Sequence, residues 1–173
     1  MVATSLLRSL LGVSLLCAIT GLGFQACATG QHNGVSSEEA LLTPEGFATW
    51  QQGEDTLKGK ILAAQESYKQ GGSLDALKVY EGSVREYLDH GFALYRTYQD
   101  TDRTLPTGLV ASLEHRTNMF MDVADEYIKH GSIAVGESIA SDVVRNYSDL
   151  PVMAPAQRRA EAVLLRYRYR QDY

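Results

Sequence analysis

Cysteine is almost missing from this 173-residue chain, which holds only Cys17 and Cys27. A disulfide-stapled scaffold is thereby excluded. Histidine is thin as well. His32, His90, His115 and His130 are dispersed, and none stands four residues from another histidine or from a cysteine, the spacing that sets two zinc ligands on one helix face. His90 and His130 each precede a glycine, where an imidazole satisfies free carbonyls at a helix end or bend. Glu114-His115 reads as an isolated pair on an exposed helix face with no nucleophile beside it. The run Asp100-Thr101-Asp102-Arg103-Thr104 starts like a calcium loop. Its sixth and twelfth places hold Leu105 and Ala111 instead of glycine and glutamate, so it reads as a polar loop in which Thr104 or a neighbour caps a helix opening at Pro106. No G-x-S-x-G elbow, phosphate loop or dinucleotide fingerprint occurs. No catalytic residue, cofactor or metal is nominated, and the chain is not expected to be an enzyme. Basic charge is not in excess either: 16 Lys and Arg face 21 Asp and Glu, a balance that argues against a nucleic-acid partner.

The amino-terminal segment lacks acid altogether; none precedes Glu38. MVATSLLRSLLGVSLLCAITGLGFQA carries one charge, Arg8, then an apolar stretch from Leu10 to Phe24 interrupted only by small residues. A positive start, a short apolar middle and small residues at the close are the grammar of an export signal, assigned here to residues 1–26. The stretch is short and glycine-rich for a spanning helix. Phe24-Gln25-Ala26-Cys27 at its end resembles the lipobox of bacterial lipoproteins, in which a small residue leads into a diacylglyceryl-modified cysteine. Ala26 fits that pattern, whereas Phe24 and Gln25 stand where leucine and a small residue are usual. The resemblance implies lipidation of Cys27 and a membrane partner through the lipid. Ala28, rather than Asp, after the cysteine implies sorting to the outer membrane, with the chain facing the periplasm. Two other readings stay open. Ala26 and Ala28 also form an A-x-A site for ordinary signal peptidase, which would release a soluble periplasmic protein, and the segment could remain as an uncleaved anchor. Cys17 leaves with the signal in either cleaved case. Lipoprotein processing leaves Cys27 as the lone thiol, which cannot close an internal disulfide, and acylation gives it a use.

Residues 27–43, small, polar and glycine-containing, read as a tether. Without the signal, 147 residues and a charge of about −6 remain, enough for one buried core. The folded domain is assigned to residues 44–173. It opens at Thr43-Pro44-Glu45, where a capping hydroxyl, a first-turn proline and an acid coincide. Helical spacing then recurs: Leu57, Ile61, Ala64 and Tyr68 after an interruption at Gly53; Leu77, Tyr80, Val84, Tyr87, Leu88, Phe92 and Tyr95, with bends expected at Gly82 and Gly91. Leu109, Leu113, Phe120, Val123 and Tyr127 continue the series up to Gly131-Ser132, followed by Ile133, Ile139, Val143 and Val144. A last helix runs from about Ala154. No stretch alternates as a strand does. The fold class is therefore all-α, built of antiparallel helix pairs that form either a solenoid or a compact bundle.

One stretch, FMDVADEYIKHGSIAVGESIASDVV, resembles a tetratricopeptide (TPR) unit. Phe120, Val123, Ala124, Tyr127, Gly131 and Gly136 fall at that motif's spacings. A small residue on each helix lets the pair approach while the aromatic fills the groove beside it. Ala64, Tyr68, Gly71, Ala76, Tyr80 and Ser83 repeat the scheme upstream. The two turns, at Gly71 and Gly131, lie 60 residues apart, against about 34 for that family. The resemblance implies a TPR-like array, hence a protein-binding role.

Ten tyrosines accompany a single tryptophan, and most of them lie on the apolar stripes. The ending AQRRAEAVLLRYRYRQDY concentrates Arg158, Arg159, Arg166, Arg168 and Arg170 around an apolar face assigned to Ala162, Val163, Leu165 and Tyr169. Arg stems at a helix's carbonyl end are explained by packing and the helix dipole. The functional alternative is a docking edge for an acidic partner, formed by Arg166, Arg168 and Arg170 with an exposed Tyr127 beside them. Two functions are expected from different classes: a lipid-anchored adaptor or assembly factor that binds an envelope protein in a secretion, pilus or outer-membrane assembly machine, or a periplasmic enzyme or inhibitor whose site is dispersed in sequence.

Overall fold

The computed structural model describes residues 40–148, 150 and 153–168. The signal, Cys27, most of the tether, Arg170 and the side chain of Arg168 lie outside the described residues. Five helices follow one another: α1 Pro44–Gly71, α2 Leu74–Asp100, α3 Leu109–Lys129, α4 Ile133–Asn146 and α5 Ala154–Arg168. No strand occurs among the described residues, as the absence of alternating runs requires.

The first start is the one the sequence specifies. Thr43 lies in extended backbone and its hydroxyl accepts from the Gly46 N–H at 3.0 Å, with Pro44 in the first turn. Gly72 ends α1 in the left-handed region (φ 60°), and Ser73 caps α2 by accepting from the Ala76 N–H at 3.1 Å. The next boundary differs from expectation. α3 begins at Leu109 rather than at Pro106, because Gly108 takes φ +83°, which no continuous right-handed helix can include. Pro106 instead opens a turn, closed by the Leu109 N–H on its carbonyl at 3.1 Å. Nor does Gly53 interrupt α1, and α2 runs unbroken through Gly82 and Gly91. Two of these glycines serve close packing: a Cβ at Gly53 would stand 3.0 Å from His90 Cε1, and one at Gly91 2.7 Å from an Arg116 nitrogen.

Cross-helix contacts define how the helices stack. Between α1 and α2, Trp50 meets His90, Glu54 meets Tyr87, Lys60 meets Glu86 and Gln65 meets Tyr80. Residue numbers rise on one helix as they fall on the other, so this pair is antiparallel. Alternate helices run parallel. Glu54 and Tyr68 of α1 reach Arg116 and Glu126 of α3, and Arg85 and Asp89 of α2 reach Asp142 of α4 and Tyr147 just beyond it. These parallel contacts connect residues 57 to 62 apart, close to the separation of the Gly71 and Gly131 turns. The odd-numbered helices thus form one layer and the even-numbered helices the other, and α5 adds to the first by packing on both α3 and α4.

The core lies between the layers. Leu77, Val84, Leu88, Phe92, Leu113, Phe120, Val123 and Ile139 are all buried, as their helical spacing requires. Tight packing occurs where small residues were expected to admit it: a Cβ on Gly136 of α4 would fall 2.9 Å from the Ala124 carbonyl and 2.6 Å from Ile128 Cγ1 on α3. The apolar face of α5 is corrected. Ala156, Ala160 and Tyr167 are buried with Val163 and Leu164 packed partly against the core, whereas Ala162 and Leu165 face outward. Positions 156, 160, 163, 164 and 167 follow the helical period, and 165 falls on the opposite side.

Tyrosines link the stacked helices through acids. Tyr68 donates to Glu126 at 2.7 Å, Tyr127 to Glu81 at 3.0 Å, and Tyr147 to Asp89. Burial, then the neighbouring carboxylate, pushes the Tyr68 and Tyr127 hydroxyls up to about 12 and Tyr147 higher still. Each native hydroxyl holds its proton better than the unfolded one. This contribution to stability is therefore complete below the ordinary tyrosine value near 10 and disappears as pH rises through the native values. Helical circular dichroism is expected to hold at pH 9 and to fall between pH 10 and about 12, in step with tyrosinate absorbance. Tyrosinate formation by these groups near pH 10 with the helices intact would contradict the assignment.

Candidate functional site

A cleft of about 490 Å³ lies between α1, α3 and the loop before α3. One stripe of α1 supplies a wall: Phe47, Trp50, Gln51, Glu54, Asp55 and Lys58 recur at three- and four-residue steps. α3 supplies Leu109, Ser112 and Arg116, again at helical spacing, while Leu94 of α2 and the Pro106-Thr107-Gly108 turn complete the lining. The corrected start of α3 matters here, since the turn that replaces its first residues forms part of the wall.

At the inner end sits a charge pair that sequence periodicity did not reveal. Arg116 is 1% exposed, and its Nη2 donates to Glu54 Oε1 at 2.6 Å. Its Nη1 donates to the Tyr87 carbonyl at 2.6 Å and its Nε to Ser112 Oγ at 3.1 Å. The guanidinium lies over the Tyr87 ring, 3.7 Å from the centroid, and the Tyr87 hydroxyl donates to the same Glu54 oxygen at 3.0 Å. Burial pushes that hydroxyl above its ordinary value, Arg116 opposes the rise and Glu54 adds to it. The planar fork of Arg116 is thus fully directed and its charge is balanced. Glu54 Oε2 is buried and has no hydrogen-bond partner among the described residues.

Toward the mouth, Phe47 stacks on Trp50 with centroids 5.7 Å apart, and Trp50 stacks on His90 at 5.0 Å. Trp50 Nε1 donates to the His90 carbonyl at 3.1 Å, and His90 Nε2 lies 3.0 Å from the Trp50 carbonyl. His90 does meet a carbonyl, as its place before Gly91 suggested, but on the neighbouring helix. His130 differs similarly: its ring lies 3.0 Å from the Tyr68 hydroxyl on α1. Asp55 stands at the rim, with Lys58 Nζ 3.7 Å from it and 3.5 Å from Glu54. A second depression of about 340 Å³ holds Arg85, Asp89, Arg96, Asn146 and Tyr147; Asp89 takes the Tyr147 hydroxyl and Arg85 pairs with Asp142.

Of the residues singled out for partner contact, Tyr127 and Arg166 lie among the described residues, whereas Arg170 and the side chain of Arg168 do not. Tyr127 is 5% exposed and bonded to Glu81, so its ring fills the α2–α3 groove and offers no exposed contact area. Arg166 is exposed, as are Arg158 and the neighbouring Leu165. Arg159 folds back onto α3, with Nη2 2.7 Å from Asp122 and 2.9 Å from Asp125. Glu114 is half-buried and His115 exposed on α3. Among the described residues, no cluster of three His, Cys, Asp or Glu is placed to hold a metal ion, and no helix is long and apolar enough to cross a membrane. The sequence matches no protein-family model and no curated protein, and no solved structure matches the chain.

Proposed function

We propose that this chain is an exported lipoprotein, anchored through Cys27 at the outer membrane, whose TPR-like helical domain is an adaptor for an envelope assembly. The tether holds the domain off the lipid, and stacked helix pairs present it to a partner protein. The observation that supports binding over chemistry is the cleft. Its buried Arg116 is spent on Glu54 Oε1 and the Tyr87 carbonyl, while its outer wall combines Phe47, Trp50, Gln51 and Asp55. Aromatic surface beside a few directed polar groups is the chemistry of recognition sites. Arg158, Leu165 and Arg166 on the outward side of α5 form a second contact edge in this reading.

The anchor has a direct test. Wild-type protein is expected to incorporate a fatty-acid probe and partition with membranes, and Cys27→Ser to do neither. Equal labelling and partitioning of both forms would remove the lipid anchor from the account, leaving soluble export or the uncleaved segment.

A further inference from the structure

We propose that the cleft between α1 and α3 receives a basic side chain, lysine or arginine, from an extended segment of the partner protein. The inference rests on the adaptor reading and names the chemistry it uses. Its starting point is Glu54. The residue lines the cleft, is 7% exposed, and directs Oε1 to Tyr87 and Arg116 while Oε2 has no partner. An ionised carboxylate oxygen accepts and never donates, so the group that completes this site must bring an N–H or O–H. Ammonium and guanidinium bring several, together with the charge that a carboxylate favours.

Three further features select a cation on an aliphatic stem. Asp55, 82% exposed at the rim, adds a second carboxylate on the route inward. Lys58 shows that this rim attracts an ammonium: its Nζ lies 3.5 Å from Glu54 Oε1 and 3.7 Å from Asp55, leaving Oε2 open, and its side chain is half-exposed. Phe47 and Trp50 provide an apolar wall for the methylene stem. Arg116 carries a positive charge at the inner end, but it is paired with Glu54 Oε1 at 2.6 Å, so Asp55 and the free Glu54 Oε2 supply the acceptors for the newcomer. The acidic balance of the chain draws a basic segment toward it. At about 490 Å³ the cleft exceeds one side chain, so flanking backbone enters too, within reach of Gln51 and Thr107. A peptide therefore fits better than a free amine.

Trp50 is the chain's only tryptophan and lines the cleft, so its fluorescence reports occupancy. The full-length protein in mild detergent is titrated with capped Ala-Lys-Ala, with the same peptide Nε-acetylated, and with spermidine. A saturable change with the lysine peptide and none with the acetylated one is expected. Asp55→Asn, at an exposed position, should weaken binding about threefold, the scale of one exposed charge pair. Glu54→Gln should weaken it about tenfold or more where helical circular dichroism shows the variant folded. No saturable response, an equal response to the acetylated peptide, or an unchanged affinity in Asp55→Asn would overturn the proposal. So would a response to spermidine without one to the peptide, which would assign the cleft to a free polyamine. Envelope crosslinks formed from the cleft rim despite such a failure would leave the adaptor reading standing and remove only the basic side chain.

Discussion

Replacing Arg116 by alanine is expected to destabilise the domain by about 3–5 kcal/mol, the largest loss from any single side-chain truncation here. The guanidinium is 1% exposed, so removing it leaves Glu54, whose side chain is 9% exposed, as a buried carboxylate without its cation. It also removes the donor to the Tyr87 carbonyl and the cover over the Tyr87 ring. The loss therefore reaches all three helices, and a denaturant midpoint measured by circular dichroism should record it directly. Removing both charges should be far milder. Glu54→Leu with Arg116→Met keeps apolar volume and strands neither charge, so most of the lost stability should return. A single variant as stable as the wild type would contradict this account of the buried pair.

The second large effect is expected at Gly136. Any side chain there must enter the α3–α4 contact, where the first carbon would meet the Ala124 carbonyl at 2.9 Å and Ile128 Cγ1 at 2.6 Å. Ile128 can turn aside, but the carbonyl belongs to the backbone of α3 and moves only with the helix. Gly136→Leu is accordingly expected to cost about 2–3 kcal/mol. Gly82 provides the contrast, because it lies in mid-helix with nothing within 4 Å of an added Cβ. Gly82→Ala should gain about 0.5–1 kcal/mol from helix propensity alone. Thermal melts of the two variants should move in opposite directions, and a neutral Gly136→Leu would show that the helix pair is not held at this distance.

Much of the fold is legible in the sequence because its signals are local. The Thr43-Pro44 start and the turns at Gly72 and Gly131 follow from capping and positive φ, and the stripes of α2 and α3 follow from the helical period. Errors arose where local grammar competes with packing. Proline at 106 is a good first helical residue, yet the left-handed Gly108 two places later delays α3. Gly53 and Gly91 look like breaks along a single helix, but they are gaps into which His90 and Arg116 of neighbouring helices fit. On α5, Leu165 is the more apolar residue, while the alanines at 156 and 160 take the interior because they share the helical period of 163, 164 and 167.

The cleft was less accessible still. Glu54 and Arg116 are 62 residues apart, on helices that touch only through the stacking of alternate elements, and nothing in composition pairs them. One signal was present: Phe47, Trp50, Gln51, Glu54, Asp55 and Lys58 share a helical stripe. Its mixture of aromatic, acid and base matches neither a core face nor a solvated one, as the lining of a cleft would. Tyr127 carried the opposite lesson. An aromatic at a motif position beside arginines suggests contact surface, but the spacing that defines the motif is the spacing that buries it.

The adaptor account is tested most directly by photo-crosslinking from within the cleft in intact cells. A photoreactive residue at Gln51, on the cleft wall, is compared with one at Leu62, which is 67% exposed on the same helix and outside the cleft lining. The account requires an adduct with one envelope protein from position 51, reduced by Asp55→Asn and weak from position 62. Adducts of equal strength from both positions, or none from position 51 in cells where the protein is membrane-bound and folded, would contradict it.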